Sequence, residues 1–283
     1  MTKEEVAESL SLSCVEAYFL AYFKNFFDVR PLYVQSFVPF DQIVSDFSAR
    51  GVRYEQEYVP RVQNLSQSLG FTHRAFPDES SADCLTLLRA NEKFFEGLKR
   101  TPWRKDHYIA WFPSKDGGTF VSSYPLSSGQ ISDARLRQVT DGGALRFRLC
   151  DGQTRDTKER YAELSRAAFG RIRDSANADS CTPGEIDALC LRDAVLFLRT
   201  TRRRLRDWLA YEGSRGALVF DETLNETCET LVAGYDRLLV QTEYRLARGD
   251  RRKGLREELC AFAGQENTLL REIVKRRKKY GED

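Results

Sequence analysis

In the first half of the chain, apolar residues recur at three- and four-residue spacing in "SCVEAYFLAYFKNFF" (13–27) and "DQIVSDFSA" (41–49), and both stretches predict helices. Short runs rich in aromatic and β-branched residues predict strands at "RPLYVQSFV" (30–38), "DHYIAWF" (106–112), "GTFVSSYP" (118–125) and "GALRFRLC" (143–150). "SKDGG" (114–118) carries an Asp-Gly turn signal between two of these runs, so 106–125 is expected to be a β-hairpin. Beyond "CDGQTRDTKERY" the strand signals fade. Helical periodicity then occupies 157–176, 185–212, 221–249 and 252–281, separated by "DSCTPGE", "GSRGALVFD" and "GDRRKG". The pattern predicts an α+β protein: an N-terminal domain over 1–150 with an antiparallel sheet, and an all-helical C-terminal domain over 151–283. Within the first helix, "AYFLAYFKNFF" is expected to bury Tyr18, Phe19, Phe23 and either Phe26 or Phe27 against the sheet.

Composition narrows the function classes. A length of 283 residues suits two domains, and 41% apolar with 30% charged residues is the profile of a soluble globular protein. No apolar run approaches the roughly 18 residues of a membrane span. "MTKEEVAESL" lacks the basic-then-apolar layout of a signal peptide, so the expected setting is cytoplasmic with no membrane association. A net charge of +2 does not suggest nucleic acid. The basic runs "RTTRRRLRDWL" (199–209) and "KRRKKYG" (275–281) read first as solvated helix faces and second as docking faces for an acidic partner. Seven scattered cysteines with no C-x-x-C pair predict neither a disulfide framework nor a metal site, and most read as buried thiols.

Cys14 stands apart. Ser13-Cys14-Val15-Glu16 fits the capping box, which makes Ser13 the N-cap and Cys14 the first helical residue. Unbonded backbone N–H groups and the positive end of the helix dipole collect there and favour a thiolate, although a cysteine beside an apolar helix face can equally be a core thiol. A nucleophile needs a base. Of the two histidines, His73 ("LGFTHRAF") reads as a surface residue, whereas His107 opens the first strand of the hairpin at the sheet rim. The returning strand brings Ser123, or Ser122, toward His107; Trp103 and Trp111 flank it and can line a substrate pocket.

An N-terminal Cys opening a helix, followed about ninety residues later by His-aromatic-apolar-apolar, a Gly-containing turn and a strand ending before Pro, resembles papain-like cysteine peptidase folds. It is most similar to the double-glycine leader peptidase domain of bacteriocin exporters and to the butirosin biosynthesis protein H group. "CVEAYFLAYF", "LYVQSF", "RVQNLSQSLGF" and the helical "LRDAVLFLRTTRRRLRDWL" support the second form. The resemblance implies a papain-like N-terminal domain and a cysteine-dependent acyltransferase of secondary-metabolite or antibiotic biosynthesis. In that reading Cys14 accepts an acyl group from the phosphopantetheine arm of an acyl or peptidyl carrier protein, His107 is base and acid, and a small amine receives the acyl group. No other cofactor and no metal are implied, and a homodimer stays open. Two supporting positions depart from the family. Where an Asp or Asn usually orients the histidine the chain reads "VSSYP", leaving Ser123, Ser122, or Asp116 or Asp133 nearby; where a Gln usually completes the oxyanion hole stands Glu8. A hydrolase on the same fold, or a carrier-binding protein without chemistry, are the alternatives.

Overall fold

The structure, a computed structural model of the chain, describes residues 1–50, 58–75, 84–96, 106–115, 117–178, 186–249 and 256–277. Its elements, in order, are α1 (Lys3–Ala7), α2 (Cys14–Phe23), a 3-10 turn (Arg30–Tyr33), α3 (Phe40–Arg50), α4 (Val62–Ser68), β1 (Thr72–Arg74), β2 (Cys84–Ala90) and α5 (Glu92–Glu96). Then come β3 (Tyr108–Ser114), β4 (Gly117–Ser123), β5 (Leu126–Ile131), α6 (Asp133–Val139), β6 (Thr140–Leu149), α7 (Arg155–Asn177), α8 (Ala188–Ser214), α9 (Glu222–Ala247) and α10 (Arg256–Arg276). The α+β expectation holds: a six-stranded antiparallel sheet lies in the N-terminal half, and helices fill the C-terminal half. Two compact units divide the chain, Met1–Val29 with Arg61–Arg160 and Arg30–Pro60 with Tyr161–Asp283. Among the described residues no helix is long and apolar enough to cross a membrane.

In the first unit the strands run in the order β1-β6-β2-β3-β4-β5. The expected hairpin is present, with β3 and β4 paired from Ala110↔Val121 to Ser114↔Gly117. Every residue of α2 from Val15 to Phe23 is buried. Phe19 meets Phe147 of β6 edge-on at 5.4 Å, and Tyr22 stacks near Phe112 of β3 at 6.1 Å. Phe27, not Phe26, completes the aromatic stripe: it stacks on Phe71 at 4.6 Å, while Phe26 is an exposed hydrophobic residue. The opposite sheet face is covered by Phe94 and Phe95 of α5 and Leu136 and Val139 of α6, packed on Ala90 and Ile109. β2 and β5 carry no clear signal in the sequence. "CLTLLRA" is a Leu-rich run that helix and strand accommodate equally, and "LSSGQI" is a polar edge strand.

The second unit corrects two expectations. Residues 30–38 do not form a strand. Arg30–Tyr33 is a 3-10 turn, Leu32, Tyr33, Val34, Phe37 and Val38 are all buried, and the Val38 carbonyl accepts a hydrogen bond from Arg202 Nη2 at 2.9 Å in place of a ladder partner. Nor is the run at 199–209 a solvated face. Arg202 and Arg204 are fully buried, stacked over Phe37 and Tyr33. Arg199 and Arg203 pair with Asp236 of α9, and Arg206 pairs with Glu229. In the second run, Lys275 and Arg276 pair with Glu272, and Arg276 also reaches Asp221; residues 278–281 lie outside the described residues.

The buried Arg202 is tied to Glu266 of α10, its Nε lying 2.7 and 2.9 Å from the two carboxylate oxygens, and the Tyr235 hydroxyl donates to the same carboxylate at 2.6 Å. A charge so deeply placed is tolerable only with its partner. Glu266→Ala is therefore expected to lower stability by about 3–5 kcal/mol, and Arg202→Met with Glu266→Leu to recover most of the loss. Urea unfolding of the two variants beside wild type checks both.

Candidate active site

Ser13 caps α2 as expected, its hydroxyl accepting the Glu16 N–H at 3.3 Å, and Cys14 is the first helical residue. The capping box is only half closed. The Glu16 carboxylate instead turns inward, where it accepts the Leu12 N–H at 2.8 Å and the Val62 N–H at 3.1 Å. This buried carboxylate fastens the approach to α2 and the start of α4 to the helix turn that carries Cys14. Cys14 itself is half-buried, and its Sγ lies 3.9 Å from the carbonyl oxygen of Asp106. The thiol thus reaches the peptide bond that joins Asp106 to His107.

His107 is 2% exposed. Its ring stands on the α5 side of the sheet rim, with centroid distances of 5.6 Å to Phe95, 6.4 Å to Phe94 and 6.3 Å to Tyr124. Nε2 lies 3.1 Å from Ser122 Oγ. When the Ser122 hydroxyl donates to the Tyr124 carbonyl at 3.1 Å, its oxygen accepts from the His107 tautomer that carries its proton on Nε2. The basic lone pair then sits on Nδ1.

The serine that meets His107 is therefore Ser122. Ser123, the expected orienting residue, faces the other way: its N–H donates to the Tyr18 hydroxyl at 2.7 Å and its Oγ lies 3.2 Å from the same oxygen. Adjacent strand residues project to opposite faces, so one step in register exchanges the two hydroxyls. Tyr18, which the pattern marks only as a core aromatic, is a polar link of the site. Its hydroxyl also donates to the Tyr108 carbonyl at 2.7 Å, and burial pushes the phenol well above the ordinary tyrosine range.

The remaining candidates are exposed, packed on the sheet or outside the described residues. Trp111 packs half-buried on the Phe94–Leu136 cluster, its indole against Gly118, where an added Cβ would lie 2.5 Å from Nε1. Trp103 and Asp116 lie outside the described residues. Asp133 is exposed at the start of α6, and Glu8 is exposed at the C-cap of α1. His73 is exposed on β1, with Nδ1 3.5 Å from Cys150 Sγ. This Cys–His contact has no helix start beneath it, and burial raises the Cys150 thiol. Burial also pushes Cys190 up to about 11 and Cys228 up to about 12.

Among the described residues no group of three or more His, Cys, Asp or Glu side chains could hold a metal ion. A cavity of about 490 Å³ is lined by residues of α3, α7 and α10, among them Asp41, Asp174 and Glu266. Two of those carboxylates are already paired, Asp174 with Arg173 and Glu266 with Arg202. No family model, no curated protein and no solved structure matches the chain.

The geometry distinguishes the two serines. Ser122→Ala removes the acceptor that holds the Nε2 proton and is expected to slow Cys14 alkylation near pH 7 by roughly tenfold or more. Ser123→Ala leaves both the His107 contact and the Ser123 N–H in place and is expected to change the rate little. Peptide-level mass spectrometry of iodoacetamide labelling against pH reads both variants, with Cys150, Cys190 and Cys228 as internal slow-reacting references.

Proposed function

We propose that the chain is a papain-like, cysteine-dependent acyltransferase that takes an acyl group from a carrier-protein thioester and delivers it to an amine, as in secondary-metabolite assembly. The observation that carries this reading is the meeting of the Cys14 thiol, at the start of α2, with the rim peptide that leads into a buried histidine whose Nε2 is engaged by Ser122. His107 Nδ1 would take the thiol proton. The thiolate would attack the thioester carbonyl carbon, forming a carbon–sulfur bond to Cys14, and the pantetheine thiolate would leave with the proton held by His107. An amine would then attack the acyl-Cys14 carbonyl, pass its proton to His107 and expel the Cys14 thiolate, and return of that proton from His107 to Cys14 would regenerate the starting site. The partners in this reading are an acyl or peptidyl carrier protein and a small amine, and the expected compartment is cytoplasmic.

One observation favours a second reading. A serine hydroxyl does not stabilise an imidazolium as a carboxylate does, which suits a carrier-binding protein whose chemistry has weakened.

Incubation with acyl-pantetheine or acyl-N-acetylcysteamine thioesters, followed by intact-mass measurement, tests the proposal. A mass increase equal to the acyl group on wild type, absent in Cys14→Ala and strongly reduced in His107→Ala, is expected. Release of the acyl group as an amide when amines are added supports transfer. Release only as the free acid would replace it with hydrolysis, and no acylation with any thioester would leave the carrier-binding reading.

A further inference from the structure

The β3–β4 ladder is regular from Ala110↔Val121 down to Ser114↔Gly117. Continued toward the rim in the same register, Tyr108 would oppose Ser123. That pair is not made. The Tyr18 hydroxyl stands between them, donating to the Tyr108 carbonyl at 2.7 Å and accepting the Ser123 N–H at 2.7 Å. One direct backbone bond is replaced by two bonds through a phenolic oxygen, so the strand ends are spread where the ladder would otherwise close. Each strand end carries one half of the base: His107 precedes Tyr108, and Ser122 precedes Ser123. The wedge comes from α2, one helical turn after Cys14. We propose that Tyr18 is a positioning residue, a hydroxyl wedge that sets the spacing of the His107 and Ser122 strand ends and locks it to the helix turn that carries Cys14.

The chemistry suits the task. A phenol both donates and accepts, and so can satisfy a carbonyl and an N–H at once. Tyr18 is fully buried, and burial raises its phenol above the usual range, so the O–H remains a donor throughout the working pH of a thiol. Phenylalanine would fill the same volume with no polar atom. It would leave Tyr108 and Ser123 either unpaired or zipped together, and either outcome moves His107 against Ser122 and Cys14. Displacements of that kind, on the order of 1 Å, cost as much as about a hundredfold in rate.

The inference rests on reading Cys14 and His107 as nucleophile and base, and the test separates the two. Full-length wild type, His107→Ala, Tyr18→Phe and the control Tyr22→Phe are alkylated with iodoacetamide across pH, and their thermal unfolding is followed. The expected result is a His107-dependent fast phase at Cys14 in wild type and in Tyr22→Phe. In Tyr18→Phe that phase should be slowed about tenfold to a hundredfold near neutral pH, with cooperative unfolding retained. A Tyr18→Phe profile that superimposes on wild type overturns the inference, whether or not its unfolding temperature falls, because a merely structural tyrosine lowers stability and leaves the profile unmoved. Wild-type labelling as slow as that of Cys150 overturns the nucleophile reading, and this inference with it. If Tyr18→Phe does not fold, native-state hydrogen exchange on wild type decides. The Ser123 amide should exchange as slowly as the β3–β4 ladder amides, and fast exchange there overturns the wedge.

Discussion

The constraint on which the first unit depends is that α2 is buried on every side. A helix buried from Val15 to Phe23 can turn only its ends toward solvent, and the N-terminal end carries Cys14. The position of the thiol is thus a consequence of packing: the aromatic stripe seats the helix on the sheet, and its first residue arrives at the rim. Glu16 makes that seat specific. A carboxylate at 3% exposure is tolerable only because two backbone N–H groups meet it, and those belong to the segment that enters α2 and to the start of α4. Chain on both sides of the thiol is held by one side chain.

The sheet divides its two faces between two tasks. On one face Tyr18 and Ser123 tie the hairpin to α2; on the other His107 and Ser122 sit against Phe94 and Phe95 of α5. Strand alternation makes this division automatic once the register is set. In the proposed reading, both faces must be in place before the thiol on α2 and the imidazole on the α5 side could act together. The apolar wall around His107 has its own effect. A protonated imidazole is costly among phenyl rings, and Ser122 offers a dipole, not a charge, in return.

Much of this was legible in the chain. Ser13 as N-cap, Cys14 as first helical residue, the 106–125 hairpin and the four long C-terminal helices follow from local rules whose signals lie within a few residues of one another. What was not legible depends on partners far away in sequence. Residues 30–38 have a strand-like composition, but Arg202, over 160 positions later, takes the Val38 carbonyl and holds the segment against α8. The run at 199–209 looks solvated until Glu266 and Asp236 are brought to it by α10 and α9. The choice between Ser122 and Ser123 turned on a single step of register, which no composition encodes. Tyr18 read as core because its burial is visible in the periodicity, whereas its hydroxyl partners, at 90 and 105 residues' separation, are not.

A hydroxyl behind the histidine also bears on which bond such a site could break. In amide hydrolysis the leaving amine is a poor leaving group and must be protonated by an imidazolium as the bond breaks, so the stabilisation that a carboxylate gives the cation matters greatly. A thioester is less demanding. Its leaving thiolate has a conjugate acid near pKa 8.5, close to that of the attacking cysteine, so exchange between the two sulfurs is nearly balanced and needs little help from an acid. The step that follows, attack by an amine on acyl-Cys14, again expels a thiolate and asks only for a neutral base to collect the amine's proton. In the proposed reading, His107 beside Ser122 would be that base. On the same reading, a serine behind the histidine weighs against a peptidase and is compatible with thioester-to-amide transfer.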